Sequence, residues 1–137
     1  MKENLNLEVS GHIKLYEFRE NCRVLILDQK NAIQVEAKNI IRKALTGLAK
    51  IDKITCLAAG DVVLGSTTVG ATLTSPNQGE VTFTGNISAA SFAGTIEKLK
   101  LDSIYESQSF SIVSGLSVVK DGLTDLQVEW TIRINLT

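Results

Sequence analysis

Leu126, Val128, Trp130, Ile132, Ile134 and Leu136 alternate without a break with Gln127, Glu129, Thr131, Arg133 and Asn135. Successive side chains of a strand point to opposite faces, so this run predicts a strand with one apolar and one polar face. Such a strand needs hydrogen-bonding neighbours and a core on one side, which commits the chain to a mainly β, antiparallel fold. Phe110 to Val119 is its expected antiparallel partner, and Lys120 to Asp125, with Asp121-Gly122 inside it, supplies turn chemistry between the two.

The remaining segments add strands around one helix. Leu5, Leu7 and Val9 alternate with Asn6 and Glu8, which predicts a short opening strand. His12 to Arg19 and Arg23 to Leu27 read as a hairpin turning at Glu20-Asn21, where Asn tolerates positive φ. Ile33, Ala37, Ile40, Ile41, Ala44, Leu45 and Leu48 then recur at steps of three and four, predicting an amphipathic helix from about Gln34 to Ala49 with its cations past the middle. Ile54, Cys56 and Ala58 sit in a run apolar on both faces, the pattern of a strand covered on both sides, and Gly60-Asp61 ends it. Val62 to Gly79 is rich in Gly, Thr and Ser and carries the only proline, Pro76, so it reads as an exposed extended loop ending in a turn. Glu80 to Ser88 and Thr95 to Leu101 return to strand character. The apolar phase slips between Ile96 and the Leu99/Leu101 pair, and a β-bulge at Glu97-Lys98 would absorb the slip. Many short strands and one helix predict a single β-sandwich domain over residues 1–137, jelly-roll-like or immunoglobulin-like, with residues 1–10 as a contact strand.

Composition narrows the chemistry. At 44% hydrophobic and 21% charged residues, with one proline, the chain has enough apolar material for a core and too little charge to be disordered. Fourteen basic against fifteen acidic side chains leave a net charge of −1, without the positive field that nucleic-acid or anionic-membrane binding requires. No apolar run reaches the length of a membrane span, and MKENLNLEVS has no apolar h-region, so synthesis in a cytoplasm is expected. Cys22 and Cys56 lack CxxC spacing and a His/Cys cluster, which points to two buried reduced thiols.

Catalytic constellations are thin. His12 is the only histidine and no GxSxG elbow exists, so a serine or cysteine nucleophile has no obvious base. Glu80, Glu97, Asp102, Glu106 and Glu129 read as solvated strand positions, because nothing in their spacing sets two across a cleft. Gly65 to Gly70 (GSTTVG) lacks the Gly-Lys-Ser/Thr ending and the following helix of a phosphate loop. Asp61, Asp121 and Asp125 do not follow the order of a calcium-binding loop. Trp130 lies in phase with Val128 and Ile132, so core packing is expected, with a partner needed for its ring N–H. No enzyme, metal or cofactor is expected.

The order of features carries a resemblance. A hairpin near the N-terminus leads to Lys30-Asn31-Ala32-Ile33, then to an amphipathic helix ending in Lys43-Ala44-Leu45-Thr46-Gly47-Leu48. Ile51-Asp52-Lys53-Ile54-Thr55-Cys56-Leu57-Ala58-Ala59-Gly60 follows, then Thr95-Ile96-Glu97-Lys98-Leu99-Lys100-Leu101, and finally Leu126-Gln127-Val128-Glu129-Trp130-Thr131-Ile132. From about Gly11 to its end the chain resembles small tail- and fibre-associated proteins of tailed bacteriophages, with their "K-N-x-I", "I-x-x-I-x-x-G", "I-x-E-x-G-L" and "L-x-V-x-W-T-I" segments in this order. It departs from them at Lys98 and Leu99, where the glycine of "E-x-G-L" is missing, and at Ala59, where Val is frequent.

The resemblance implies a structural virion protein with a β-sandwich fold and no catalytic residues to carry over. It would be made in the bacterial host cytoplasm and join the tail, a fibre or the head as an accessory subunit. Expected partners are further copies of itself, as a trimer or ring, and other virion structural proteins. Edge strands and the 62–79 segment suit such closed assemblies. The candidate interface residues are Leu5, Leu7 and Val9 at the start and Val62, Val63, Leu64, Val69 and Leu73 in the 62–79 segment. The rival reading is a carbohydrate- or receptor-binding β-sandwich module for a host glycan, for which Tyr16 and Tyr105 are the aromatics to test.

Overall fold

A computed structural model describes residues 7–31, 33–35, 37–75, 79–103 and 107–136. The elements run β1 (Leu7–Arg19), β2 (Cys22–Asn31), α1 (Ala37–Ala44), β3 (Lys53–Ala58), a 3₁₀ turn (Ala59–Asp61), β4 (Val62–Ser75) and β5 (Glu80–Ile87). They continue with β6 (Gly94–Ile96), β7 (Lys98–Asp102), β8 (Ser111–Val113), β9 (Val118–Lys120) and β10 (Leu126–Leu136). The protein is mainly β with one helix, and its main sheet is antiparallel and curled. Eight strands follow the order β2-β1-β10-β5-β4-β3-β7-β8, and β6 and β9 form a separate ribbon.

The strictly alternating C-terminal run is β10, and it lies inside the sheet. All eleven of its residues pair with β1, and Leu126 to Arg133 also pair with β5. Phe110 to Val119 is therefore not its neighbour. Ser111 to Val113 pair with β7 and Val118 to Lys120 pair with β6 instead. The opening strand is also longer than the sequence predicts. Leu7–Val9 and His12–Arg19 form one strand, β1, because Ser10 and Gly11 continue its register against Arg133 and Ile132.

The hairpin turns where expected. Glu20 and Asn21 have φ of 49° and 66°, which matches the twist of the two strands that follow and precede them. The other end of β2 closes the curl. Ile33 forms a bridge with Ser111 of β8, and the Gln34 N–H donates to the Phe110 carbonyl at 3.0 Å. Asn31 reaches across and its Nδ2 donates to the Ser111 hydroxyl. Gly11 makes room for that reach, since a Cβ there would sit 2.7 Å from the Asn31 Oδ1.

Three further expectations give way. The helix spans Ala37–Ala44 rather than about Gln34 to Ala49. Ile33 is held in the sheet bridge, and the helix is closed at its other end by Leu48 N–H to Lys43 C=O (2.9 Å) and Gly47 N–H to Ala44 C=O (3.1 Å), with Gly47 at φ 76°. Ala37 and Ile40 are buried, whereas Leu45 and Leu48 face solvent. The 62–79 segment is not a loop over most of its length. Residues 62–68 of β4 pair with β3 and residues 69–75 pair with β5, because the β-branched Val and Thr residues favour a pleated strand despite the Gly and Ser among them. The predicted turn at 76–79 lies largely outside the described residues. Finally, the phase slip at Glu97 is a change of sheet rather than a bulge. Ile96 ends β6 in the ribbon, Lys98 begins β7 in the main sheet, and the Glu97 backbone bonds Leu57 and Leu116 on the way.

The inward side chains make one contiguous core. Ile13, Leu15, Val128 and Trp130 from β1 and β10 meet Ile54 and Cys56 from β3 and Leu99 and Leu101 from β7, all at 0% exposure. Burying such side chains is the main source of stability in a chain of this size. Trp130 packs there as expected, but its ring N–H finds no acceptor among the described residues. Lys120 is buried as well, at 2% exposure, and is satisfied by three carbonyls. Its Nζ donates to Ala89 (2.8 Å), Phe92 (2.6 Å) and Asp121 (3.0 Å), pinning the 89–92 loop to β9.

Candidate functional site

The outward side chains of β2, β1, β10 and β5 fall into rows set by strand register. Lys30, His12, Thr131 and Thr82 form one row, Asp28, Lys14, Glu129 and Thr84 the next, and Leu25, Tyr16, Gln127 and Asn86 a third. Neighbours within and between rows bond to one another. The Thr82 and Thr131 hydroxyls are 2.9 Å apart, and the His12 Nε2 meets the Asp28 carboxylate. Arg23 is the hub at one end. Its Nη1 donates to Gln127 Oε1 at 2.8 Å and Glu129 Oε1 at 2.6 Å, and its guanidinium lies 3.9 Å over the centroid of the Tyr16 ring. Gln127 in turn donates to Asn86 Oδ1 at 3.0 Å.

Two concavities open on this face. One, at the Ser10 end, is lined by Ser10, His12, Lys30, Glu80, Thr131 and Arg133. The other, of about 320 Å³, lies at the hairpin end between Phe18, Asn86, Ser88 and Asp125, with Ile87 and Leu126 beneath. A third, mostly apolar groove runs between α1 and the sheet, along Ile40, Ile41, Ala44, Ala71 and Phe83.

The chemistry-bearing residues of the sequence scatter rather than converge. His12 is a half-buried strand histidine paired with a carboxylate of the neighbouring strand. Glu80 and Glu129 lie on the outer face facing Arg133 and Arg23, Glu97 sits between β6 and β7, and Asp102 accepts from the Thr55 hydroxyl at 2.9 Å. Glu106 and Tyr105 lie outside the described residues. Asp61 pairs with Lys98 at 2.6 Å, and that hydrogen bond and charge hold its carboxyl below the usual range. Asp121 is likewise held low, chiefly by the Leu123 N–H that it accepts. Among the described residues no three His, Cys, Asp or Glu side chains gather as a metal site would require. Gly65 to Gly70 is strand, within β4.

The two cysteines differ from each other: Cys56 is a buried free thiol as expected, and Cys22 is not buried. Both are free thiols, but Cys22 is exposed because it follows the hairpin turn, beyond the edge of the core. Cys56 is buried, and burial pushes its thiol from 9.0 up to about 12.

The candidate interface residues separate into three groups. Val62, Val63 and Leu73 are exposed, at 59%, 63% and 69%. Val9 and Leu64 are half-buried against the core, and Val69 lies in the core at 7% exposure. Leu7 opens β1, and Leu5 lies outside the described residues. Sequence reasoning did not single out Val119 and Leu123, which are 75% and 90% exposed, or Phe18. Phe18 carried a readable signal, since it keeps phase with the polar His12 and Lys14 and opposes the buried Ile13 and Leu15.

Comparisons with protein-family models, with curated proteins and with solved structures find no match to this chain. Among the described residues no helix is long and apolar enough to cross a membrane.

Proposed function

We propose that this chain is an accessory structural subunit of a tailed-bacteriophage particle, acting through protein–protein contacts without catalysis and assembling as a trimer or ring. The observation that carries the reading is a set of exposed apolar side chains, Val62 and Val63 at the start of β4 and Val119 and Leu123 in and after β9. Val62 and Val63 pair with Ala58 and Leu57 of β3, and the Leu57 carbonyl accepts the N–H of Glu97, which links β6 to β7. Across the ribbon from β6, Val119 stands opposite Thr95, and Leu123 follows it. Four large apolar side chains on connected elements at more than half exposure are expensive for a lone subunit in water and are typical of surfaces covered by a neighbour. The outer edge of β2, short of its closing bridge at Ile33, offers backbone groups to the same end.

The finer fold is a β-sandwich. One layer is β2, β1, β10, β5 and the second half of β4, and the other is the first half of β4 with β3, β7 and β8. Support comes from β4, which exchanges β3 for β5 at Thr68/Val69, the way a strand turns the corner between two packed layers. Gly85 of one layer also approaches Ile54 of the other, whose Cδ1 would lie 3.6 Å from a Cβ at that glycine.

Light scattering across a concentration series tests the assembly. The expected result is a trimer or larger ring that Val63→Lys and Val119→Lys shift toward monomer while leaving the denaturation midpoint in place. A monomer at every concentration that also fails to bind any protein of the particle would overturn the reading.

A further inference from the structure

The concavity at the hairpin end of the outer face has the make-up of a saccharide site, and nothing in the assembly reading requires it. Among the described residues its aromatic wall is Phe18, 37% exposed on a strand that buries Ile13 and Leu15 on its opposite face. Its polar wall is Asn86, Ser88 and Asp125. A sugar ring presents an apolar C–H face and a rim of hydroxyls that both donate and accept. An aromatic surface opposite an amide, a hydroxyl and a carboxylate complements both.

The polar groups are held before any ligand arrives. Gln127 donates to Asn86 Oδ1 at 3.0 Å, which leaves the Asn86 amide nitrogen as its free donor among the described residues. Gln127 is itself fixed by Arg23, and Arg23 by Glu129 and the Tyr16 ring. The Ala89 N–H donates to Asp125 Oδ1 at 2.6 Å, so one carboxylate oxygen is anchored and the other stays available. The Phe18 N–H donates to the Asp125 carbonyl at 3.0 Å, which locks the aromatic wall to the acidic one. Such fixing reduces the ordering cost of binding.

We propose that this concavity binds one ring of a neutral saccharide, stacked on Phe18 with its hydroxyls shared among Asn86, Ser88 and Asp125. The volume of about 320 Å³ stands at the low end of ligand sites, which suits a single ring of a longer glycan. Asp125 is the only charged residue among the described residues of the lining, so neutral hexoses and N-acetylhexosamines are accepted and sialylated or sulfated sugars are disfavoured.

The test uses the full chain on an array of neutral, N-acetylated and acidic glycans, followed by calorimetric titration of the neutral hits and amide chemical-shift mapping. The expected result is binding to a neutral glycan with shifts centred on Asn86, Ser88 and Leu126. Phe18→Ala weakens it about tenfold or more, Phe18→Trp retains it, and Gln127→Ala weakens it less than Asn86→Ala does. Phe18 and Asn86 are both solvent-facing, and each variant is accepted only with an unchanged denaturation midpoint, so that loss of binding is separable from loss of fold. Absence of binding to any neutral glycan, preference for acidic ones, or affinity unchanged in both Phe18→Ala and Asn86→Ala would overturn the proposal. The oligomer mass is read on the same samples, so failure here and failure of the assembly reading are told apart.

Discussion

The two long strands β4 and β10 sit two places apart in the same sheet and present opposite faces to a reader of sequence. β10 alternates apolar and polar residues over eleven positions because it keeps β1 on one side throughout and β5 on the other for most of its length. Each side chain therefore meets the same environment as the one two residues away. β4 changes neighbours midway, from β3 to β5, and its first residues run past the core into the exposed Val62/Val63 surface. Its inward positions include Gly65, packed under the Phe92 ring, and Val69, so its burial leaves no simple period. Alternation thus reports constancy of neighbours as much as strand conformation.

The largest effect expected from this contrast is at Trp130. The side chain is fully buried in the centre of β10, and Trp130→Ala should cost about 3–5 kcal/mol by chemical denaturation, enough to unfold much of the population of a marginal domain. A cost under about 1 kcal/mol would mean that the alternating strand does not organise the core. Gly79→Ala, just before β5, should also be severe for a backbone reason. Its φ is 65°, and a side chain there would run into the Ile134 carbonyl of β10.

The same physics explains what the sequence made legible elsewhere. β3 was readable because its run is largely apolar on both faces, and Ile54 to Leu57 are buried on both. The hairpin was readable from Asn21, whose positive φ the turn requires. The helix was legible in kind but not in extent, since Leu45 and Leu48 continue its apolar stripe by spacing while the chain has already turned at Gly47. The split between β6 and β7 left a phase slip at Glu97, yet a slip looks the same whether a strand bulges or the chain moves to another sheet. The wall residues of the hairpin-end concavity come from β1, β5 and the loops after β5 and before β10, far apart in sequence, and only the register brings them together.

A second comparison of the two strands is Val69→Ala against Trp130→Ala. Val69 is 7% exposed where β4 takes β5 as its neighbour, and its truncation should cost about 2 kcal/mol. Were this segment a loop, as its composition reads, the cost would fall within about 0.5 kcal/mol.

Cys56 tests whether the first half of β4 seals the core, because it stands opposite Gly65 in the register. Its folded-state value of about 12 lies above the ordinary 9.0, so the stabilisation linked to its neutral thiol is fully present below pH 9 and is lost as pH rises toward 12. The loss should approach about 1.4 kcal/mol per pH unit within that window. Denaturation midpoints at pH 8, 9 and 10 for the wild type against Cys56→Ala isolate this slope from other titrations, and equal slopes would show that water reaches the thiol. At pH 8 a thiol reagent should label Cys22 rapidly and Cys56 only on unfolding.

The smallest effect is expected on the outer face of β10. Arg23→Ala removes two hydrogen bonds to β10 and the contact with Tyr16, but the side chain is 43% exposed and solvent screens its charge. The stability change should stay below about 1 kcal/mol and shrink further in high salt. Its consequence for binding should be larger than its consequence for folding, because Arg23 holds Gln127 and Gln127 holds Asn86. Measured together, a small shift in midpoint with a severalfold loss of glycan affinity would separate the two faces of β10, the inward one setting stability and the outward one positioning a site. Equal, proportionate losses of both would mean that the outer rows serve only to hold the sheet.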